Sequence, residues 1–144
     1  MARQFVLAVS GSPSSKSRTA LVAQHVLGLL RTENLETRFL SVRDLPAEAL
    51  LRANTTEPQI ADALAAVEQA SGIVFATPIF KAAYSGLLKC MLDILPQFAL
   101  AGKAILPIAI GGSGPRSCAR LRFATGAPVH GCPAYRAKPF HSRK

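Results

Sequence analysis

Tryptophan is absent, tyrosine occurs only twice, and no two of the three cysteines form a C-x-x-C pair. The lack of such pairs argues against a zinc site and against a disulfide framework. A reducing compartment, the cytoplasm, is the expectation. No apolar run approaches the roughly 20 residues needed to cross a bilayer, and the amino-terminal run is too short for a secretory signal and lacks a cleavage site. No Ser-His-Asp arrangement and no paired carboxylates are visible. Asp93 reads as a surface charge or a local partner of Lys89. His25 lies inside a helical pattern, where a packed or solvent-facing histidine is the ordinary case. Hydrolysis and metal chemistry therefore have little support, and no metal site is expected.

Acid is missing from one whole region. The 144 residues carry 17 Lys/Arg and 8 Asp/Glu, a formal charge of +9. Residues 1–113 hold ten of the basic residues and all eight acids, a balance of +2. Residues 114–144 hold seven basic residues and no acid, together with Cys118, Cys132 and four of the ten prolines. A basic body would point to nucleic acid. A basic tail on a near-neutral body does not, so nucleic acid is not an expected partner of the fold.

What is present is regular. An apolar strand over about Gln4 to Val9 leads into a helix from about Arg18 to Arg31, with Leu21, Val22, Val26, Leu29 and Leu30 on its apolar face. A second strand spans Glu36 to Val42, and a short helix falls at Ala47 to Arg52. A helix follows from about Glu57 to Ala70, with Ile60, Leu64 and Val67 on one face. The third strand is Gly72 to Thr77. A helix from about Tyr84 to Leu95 comes next, then a fourth strand at Ala104 to Ile110. Pro107 cannot donate to a ladder, so that strand fits best near a sheet edge. Alternating strands and helices imply an α/β fold, a parallel sheet with helices on both faces. Ligands in such sheets bind beyond the carboxyl ends of the strands. Three loops leave those ends: Ser10–Ser17, Thr77–Lys81 and Gly111–Ser113.

The first loop, rich in Ser and followed by a helix, aims backbone N–H groups and hydroxyls at one spot. The helix dipole there favours an anion, and Lys16 and Arg18 add positive charge. It lacks the P-loop pattern and the G-x-G-x-x-G turn, so neither a nucleotide triphosphate nor a dinucleotide pyrophosphate is expected. A phosphate held by Ser12, Ser17, Arg18 and Thr19 is one reading. A structural connection with Ser17 as an ordinary N-cap is the other. The second loop offers backbone groups and an aromatic beside a flat ring; Phe80 and Tyr84 could equally be core residues. Glycines in the third loop let backbone approach the other ring edge.

These residues resemble a family. Gly11-Ser-Pro with Ser15-Lys-Ser-Arg-Thr19, Ala76-Thr-Pro-Ile-Phe-Lys-Ala-Ala-Tyr-Ser-Gly-Leu-Leu-Lys89, Leu92-Asp-Ile-Leu-Pro96, Gly102-Lys103 and the Gly-Gly-Ser after strand four are similar to the NADPH-dependent FMN reductases. The likeness is greatest to the reductases of alkanesulfonate monooxygenase systems, and it covers about residues 4–113. It implies a flavodoxin-like fold that reduces FMN with NADPH or NADH and hands FMNH₂ to a partner monooxygenase releasing sulfite from sulfonates. It also implies a homodimer or homotetramer, often built through the helix after Tyr84. By position, Ser12, Ser17, Arg18 and Thr19 would hold the phosphate. Thr77, Pro78, Ile79, Phe80 and Lys81 would line the isoalloxazine. Gly111, Gly112 and Ser113 would close the site, with Tyr84 near both flavin and subunit contact. No side chain is expected to act in catalysis, because hydride transfer is the cofactor's chemistry. A flavodoxin-like quinone or azo reductase that keeps its FMN is an alternative, as are an electron carrier and an inactive truncated form.

The expected domain plan is a flavodoxin-like unit over residues 1–113, without the family's last strand and final helices, and an irregular basic tail over 114–144. A basic arm that binds nucleic acid or an acidic partner is one reading of that tail; a reading-frame shift after Gly-Gly-Ser is the expected cause. Codons that could encode the chain from Pro115 onward, read one base later, permit an amphipathic helix leading into an apolar strand. The expected consequence is uncovered apolar surface costing on the order of ten kcal/mol, with low solubility or weak flavin binding.

Overall fold

In the computed structural model residues 5–111 are described. The elements in chain order are β1 (Phe5–Ser10), α1 (Arg18–Thr32), β2 (Glu36–Ser41), a 3₁₀ turn (Val42–Asp44), α2 (Ala47–Leu51), α3 (Pro58–Gln69), β3 (Gly72–Phe80), β4 (Ala83–Tyr84), α4 (Gly86–Asp93) and β5 (Ala104–Ile110). The parallel strands lie in the order β2-β1-β3-β5, and β4 folds back antiparallel on the end of β3. This is the flavodoxin-like order, with its switch point between β1 and β3.

The strand sequences explain the layers. In β1 the odd residues Phe5, Leu7 and Val9 join Ile73 and Phe75 of β3 in a core that also holds Ile60 and Val67 of α3 and Leu88 and Met91 of α4. The even residue Ala8 joins Val74, Ala76 and α1's Ala23 and Leu27 on the opposite face. Both faces of the central strands are thus covered, which is why β1 and β3 read as unbroken apolar runs. β5 pairs only with β3 among the described residues, and Pro107 stands opposite Phe75 on it. The edge placement expected for Pro107 is therefore observed.

Three expectations are corrected. The buried stripe of α1 is Thr19, Ala23 and Leu27, while Leu21, Val22 and Leu29 are exposed. The alanines at 8, 23 and 76 let helix and sheet approach closely around Leu27, and of the expected residues Val26 and Leu30 pack at the margin of that cluster. The helix drawn from Tyr84 begins instead at Gly86, with Ser85 as its N-cap. Tyr84 belongs to β4, opposite Ile79. β3 likewise runs on past Thr77 to Phe80, turning what was read as a loop into a hairpin. The tail, the fifth strand and the later helices considered above lie outside the described residues.

Candidate functional site

The registers bring the strand ends to one rim. Ser10 pairs with Ala76, and the Gly11 N–H donates to the Ala76 carbonyl at 2.8 Å. On the other side of β3, Thr77 stands opposite Ala109 and Pro78 opposite Ile110. The first loop, the end of β3 and Gly111 are therefore neighbours. Gly112 and Ser113 lie outside the described residues.

The first loop gathers groups that suit an anion. Ser17 caps α1, its Oγ accepting from Ala20 N at 3.0 Å. The first-turn N–H groups of Arg18 and Thr19 have no partner within the helix, and that turn carries no acid. Ser12 is buried and its Oγ meets Ser14 N at 3.4 Å. Thr19 is buried against the sheet, whereas Arg18 is exposed. A cleft of about 520 Å³ opens beside this loop, floored by Ser10 and Ser12 and bordered by α1 and the end of β2. That volume lies within the roughly 300–1,000 Å³ range of small-molecule sites.

The second wall is the β3–β4 hairpin. Phe80 is 51 % exposed, and Pro78, Ile79 and Tyr84 are half-buried. The two turn residues, Lys81 and Ala82, have φ of 51° and 62°. Positive φ at both positions is the signature of a type I′ turn, which Asn-Gly fits far better. The strain presents Phe80 as an exposed aromatic at the rim.

Thr77 is 1 % exposed, and its hydroxyl faces the protein. Its Oγ1 accepts from Ser85 N at 2.9 Å and donates to the Pro78 carbonyl at 2.9 Å. Ser85 Oγ in turn donates to the Gly11 carbonyl at 2.6 Å and accepts from Leu88 N at 3.1 Å. A Cβ placed on Gly11 would sit 2.5 Å from Leu88 Cβ. Gly11, Thr77 and Ser85 therefore lock the first loop to the end of β3 and the start of α4. Sequence reasoning missed Gly11 and Ser85 as parts of the site. The signal was available: a Ser directly before an apolar helical run is an N-cap pattern. Arg43, also missed, stands just past β2; its Nη1 donates to the Ser14 carbonyl and its Nε to Asp44 at 3.2 Å.

A family model described as NADPH-dependent FMN reductase matches residues 5–134. The FMN reductase (NADPH) of Pseudomonas putida (strain KT2440) is 43% identical over 109 residues, which are 76% of this chain and 55% of that protein. The FMN reductase (NADPH) of Escherichia coli (strain K12) is 37% identical over 108 residues, 75% of this chain and 56% of that protein. A solved apo structure of an NADH:FMN oxidoreductase (EMOB) superposes with a TM-score of 0.73 at 49% identity, covering 76% of this chain and 59% of that one. The chain thus spans a little over half the length of the curated relatives it matches. With that extent of match, and a rim of the geometry just described, the chain belongs to the NADPH-dependent FMN reductase family.

Proposed function

We propose that this chain takes part in the reduction of FMN by NADPH or NADH, the FMNH₂ passing to a partner monooxygenase that releases sulfite from sulfonates. The observation that carries the reading is the meeting of the first loop, the β3–β4 hairpin and Gly111 at one rim. An anion-ready helix start lies at one end of that rim and an exposed aromatic at the other. FMN has that same division into a phosphate and a flat ring, so the residues present fit it.

Bound FMN would supply the hydride-accepting chemistry. The chain's own residues bind and orient. The backbone N–H groups at the start of α1, with the hydroxyls of Ser12 and Ser17 and the charge of Arg18, hold the phosphate. Pro78, Ile79 and Phe80 make an apolar wall for the ring, Lys81 and Tyr84 flank it, and Gly111 lets backbone approach its other edge. Gly112 and Ser113 are proposed to continue that edge. The Thr77–Ser85–Gly11 chain of hydrogen bonds keeps the two walls in register. A homodimer or homotetramer is proposed as the working form.

The test is NADPH oxidation by the purified chain with and without added FMN. Oxidation that depends on FMN supports the reading; oxidation indifferent to FMN, or absent while FMN binds, overturns it. Sulfite release on adding an FMNH₂-dependent sulfonate monooxygenase tests the partner.

A further inference from the structure

We infer that the cleft between α1 and the end of β2 is a second phosphate-reading subsite, which takes the adenosine 2′-phosphate end of NADPH beside the flavin phosphate. The inference rests on the flavin reductase reading and names how that site tells NADPH from NADH.

The first observation is a buried hydroxyl with nothing to bond. Ser10 is 1 % exposed and lines the cleft. Its Oγ has no hydrogen-bond partner among the described residues, yet no side-chain polar atom there that is sealed from solvent lacks one. The hydroxyl therefore opens onto the cleft floor, where a ligand can satisfy it.

The second observation is position. In the order β2-β1-β3-β5 the cleft borders β1 and β2, whereas the hairpin and Gly111 border β3 and β5. The cleft shares Ser12 and Ser17 with the proposed flavin phosphate seat, and a phosphate there would leave its other end, lined by Phe39, Ser41, Arg43 and Asp44, for a second group. Rossmann sheets, which differ from this one in strand order and first turn, read a dinucleotide's ribose 2′ position near the end of the second strand, with Arg suited to a 2′-phosphate; here Arg43 stands just past the matching strand.

The third observation is chemistry. Arg43 stands at that strand end, and the bonds to Ser14 and Asp44 use only two of its five N–H donors. Lys16 adds a second cation to the lining, and Asp44, the one acid there, is already paired with Arg43. Phe39 and Leu21 supply apolar faces for a base, and Gln24 an amide for its edge. Cations, an aromatic face and a free hydroxyl in one cleft suit a phosphorylated nucleoside better than a phosphate alone.

The experiment titrates the full chain with adenosine 2′-monophosphate by calorimetry, with and without saturating FMN. The 2′-phosphate isomer is expected to bind about tenfold or more tightly than the 5′ isomer, and FMN is expected not to displace it. Arg43→Ala should cut that affinity about tenfold or more and lower the ratio of kcat/KM for NADPH over NADH by a similar factor. Arg43→Lys, which keeps the charge, should retain part of both. Displacement by FMN would show the cleft to be the flavin's own phosphate seat and overturn the inference. So would equal or absent binding of the two isomers, or a preference that follows Asp44→Asn instead of Arg43. Binding of adenosine 2′-monophosphate to a chain that does not bind FMN would keep the subsite and sink the flavin reading.

Discussion

The first loop and the β3–β4 hairpin border the same rim, but they are held there by opposite means. The loop is fixed from below: Gly11 packs on Leu88, and Ser85 and Thr77 bond it to α4 and β3 with every group buried. The hairpin has few such ties. It is a two-residue turn of Lys81 and Ala82 in a backbone conformation neither favours, with Phe80 exposed beside it. A phosphate needs several donors converging within tenths of an ångström, so the rigid loop suits the phosphate proposed for it. A flat ring needs a face, and a strained turn can supply one. Substitutions at the loop should therefore cost stability and binding together, whereas those at the hairpin should separate the two.

The sharpest way to break this contrast is Gly11→Ala. The new methyl would stand 2.5 Å from Leu88 Cβ and 3.1 Å from Leu88 Cα. Leu88 is fully buried and has nowhere to move. Overpacking of this kind costs about 1–3 kcal/mol or more, on the order of 10 °C in Tm. Thermal unfolding and an FMN titration should both show a large loss. A variant that melts like the parent would mean the loop is not clamped by α4.

Ser85→Ala is the next test. It removes the N-cap bond to Leu88 N and leaves the Gly11 carbonyl without its donor. The expected loss is about 1–3 kcal/mol, read in denaturant unfolding. Thr77→Val should cost a similar amount, and the double variant less than the two together, because they share one network. Strict additivity would show that loop and hairpin are not connected through these side chains.

Much of this arrangement was legible and some was not, for identifiable reasons. β1 and β3 announce themselves as apolar runs because both their faces are covered; β5 also falls where its sequence places it, although it is only part-buried and Leu106 is 49 % exposed. The loop proposed to hold the phosphate stands out in the sequence by its hydroxyls and cations ahead of a helix. The face of α1 was misjudged because size was taken for burial, while Ala8, Ala23 and Ala76 make close approach the deciding contact. The hairpin was invisible because Lys81-Ala82 carries none of the residues that mark a type I′ turn. The Ser85 tie was missed because it joins positions 74 residues apart, and no local pattern reports such a bond.

The hairpin can be tested in the stabilising direction. Replacing Lys81-Ala82 by Asn-Gly removes a left-handed backbone penalty and should raise stability by about 1 kcal/mol, a few degrees in Tm. If the strain is there to hold Phe80 against the ring, FMN should bind more weakly to this more stable variant. Phe80→Ala should weaken FMN as well while leaving Tm nearly unchanged, because the side chain is half-exposed. Parallel changes in Tm and affinity would erase the distinction between the two walls.

The smallest effect belongs to a pair far from any such constraint. Lys89 and Asp93, one helical turn apart on α4, form an exposed ion pair. The hydrogen bond to Asp93 raises the Lys89 pKa above its ordinary 10.5. A raised lysine pKa stabilises the fold below the unfolded value, and that contribution is lost as pH climbs through the folded one. The charges also run against the helix dipole, with the acid at the carboxyl end of the helix. Lys89→Gln should therefore shift Tm only slightly near neutral pH. The difference should fade as pH rises through the raised Lys89 pKa, and in about 1 M salt, where such pairs are screened. A large Tm loss at neutral pH that survives in high salt would mean that Lys89 packs through its stem, placing it with the buried residues of α4 rather than with its surface.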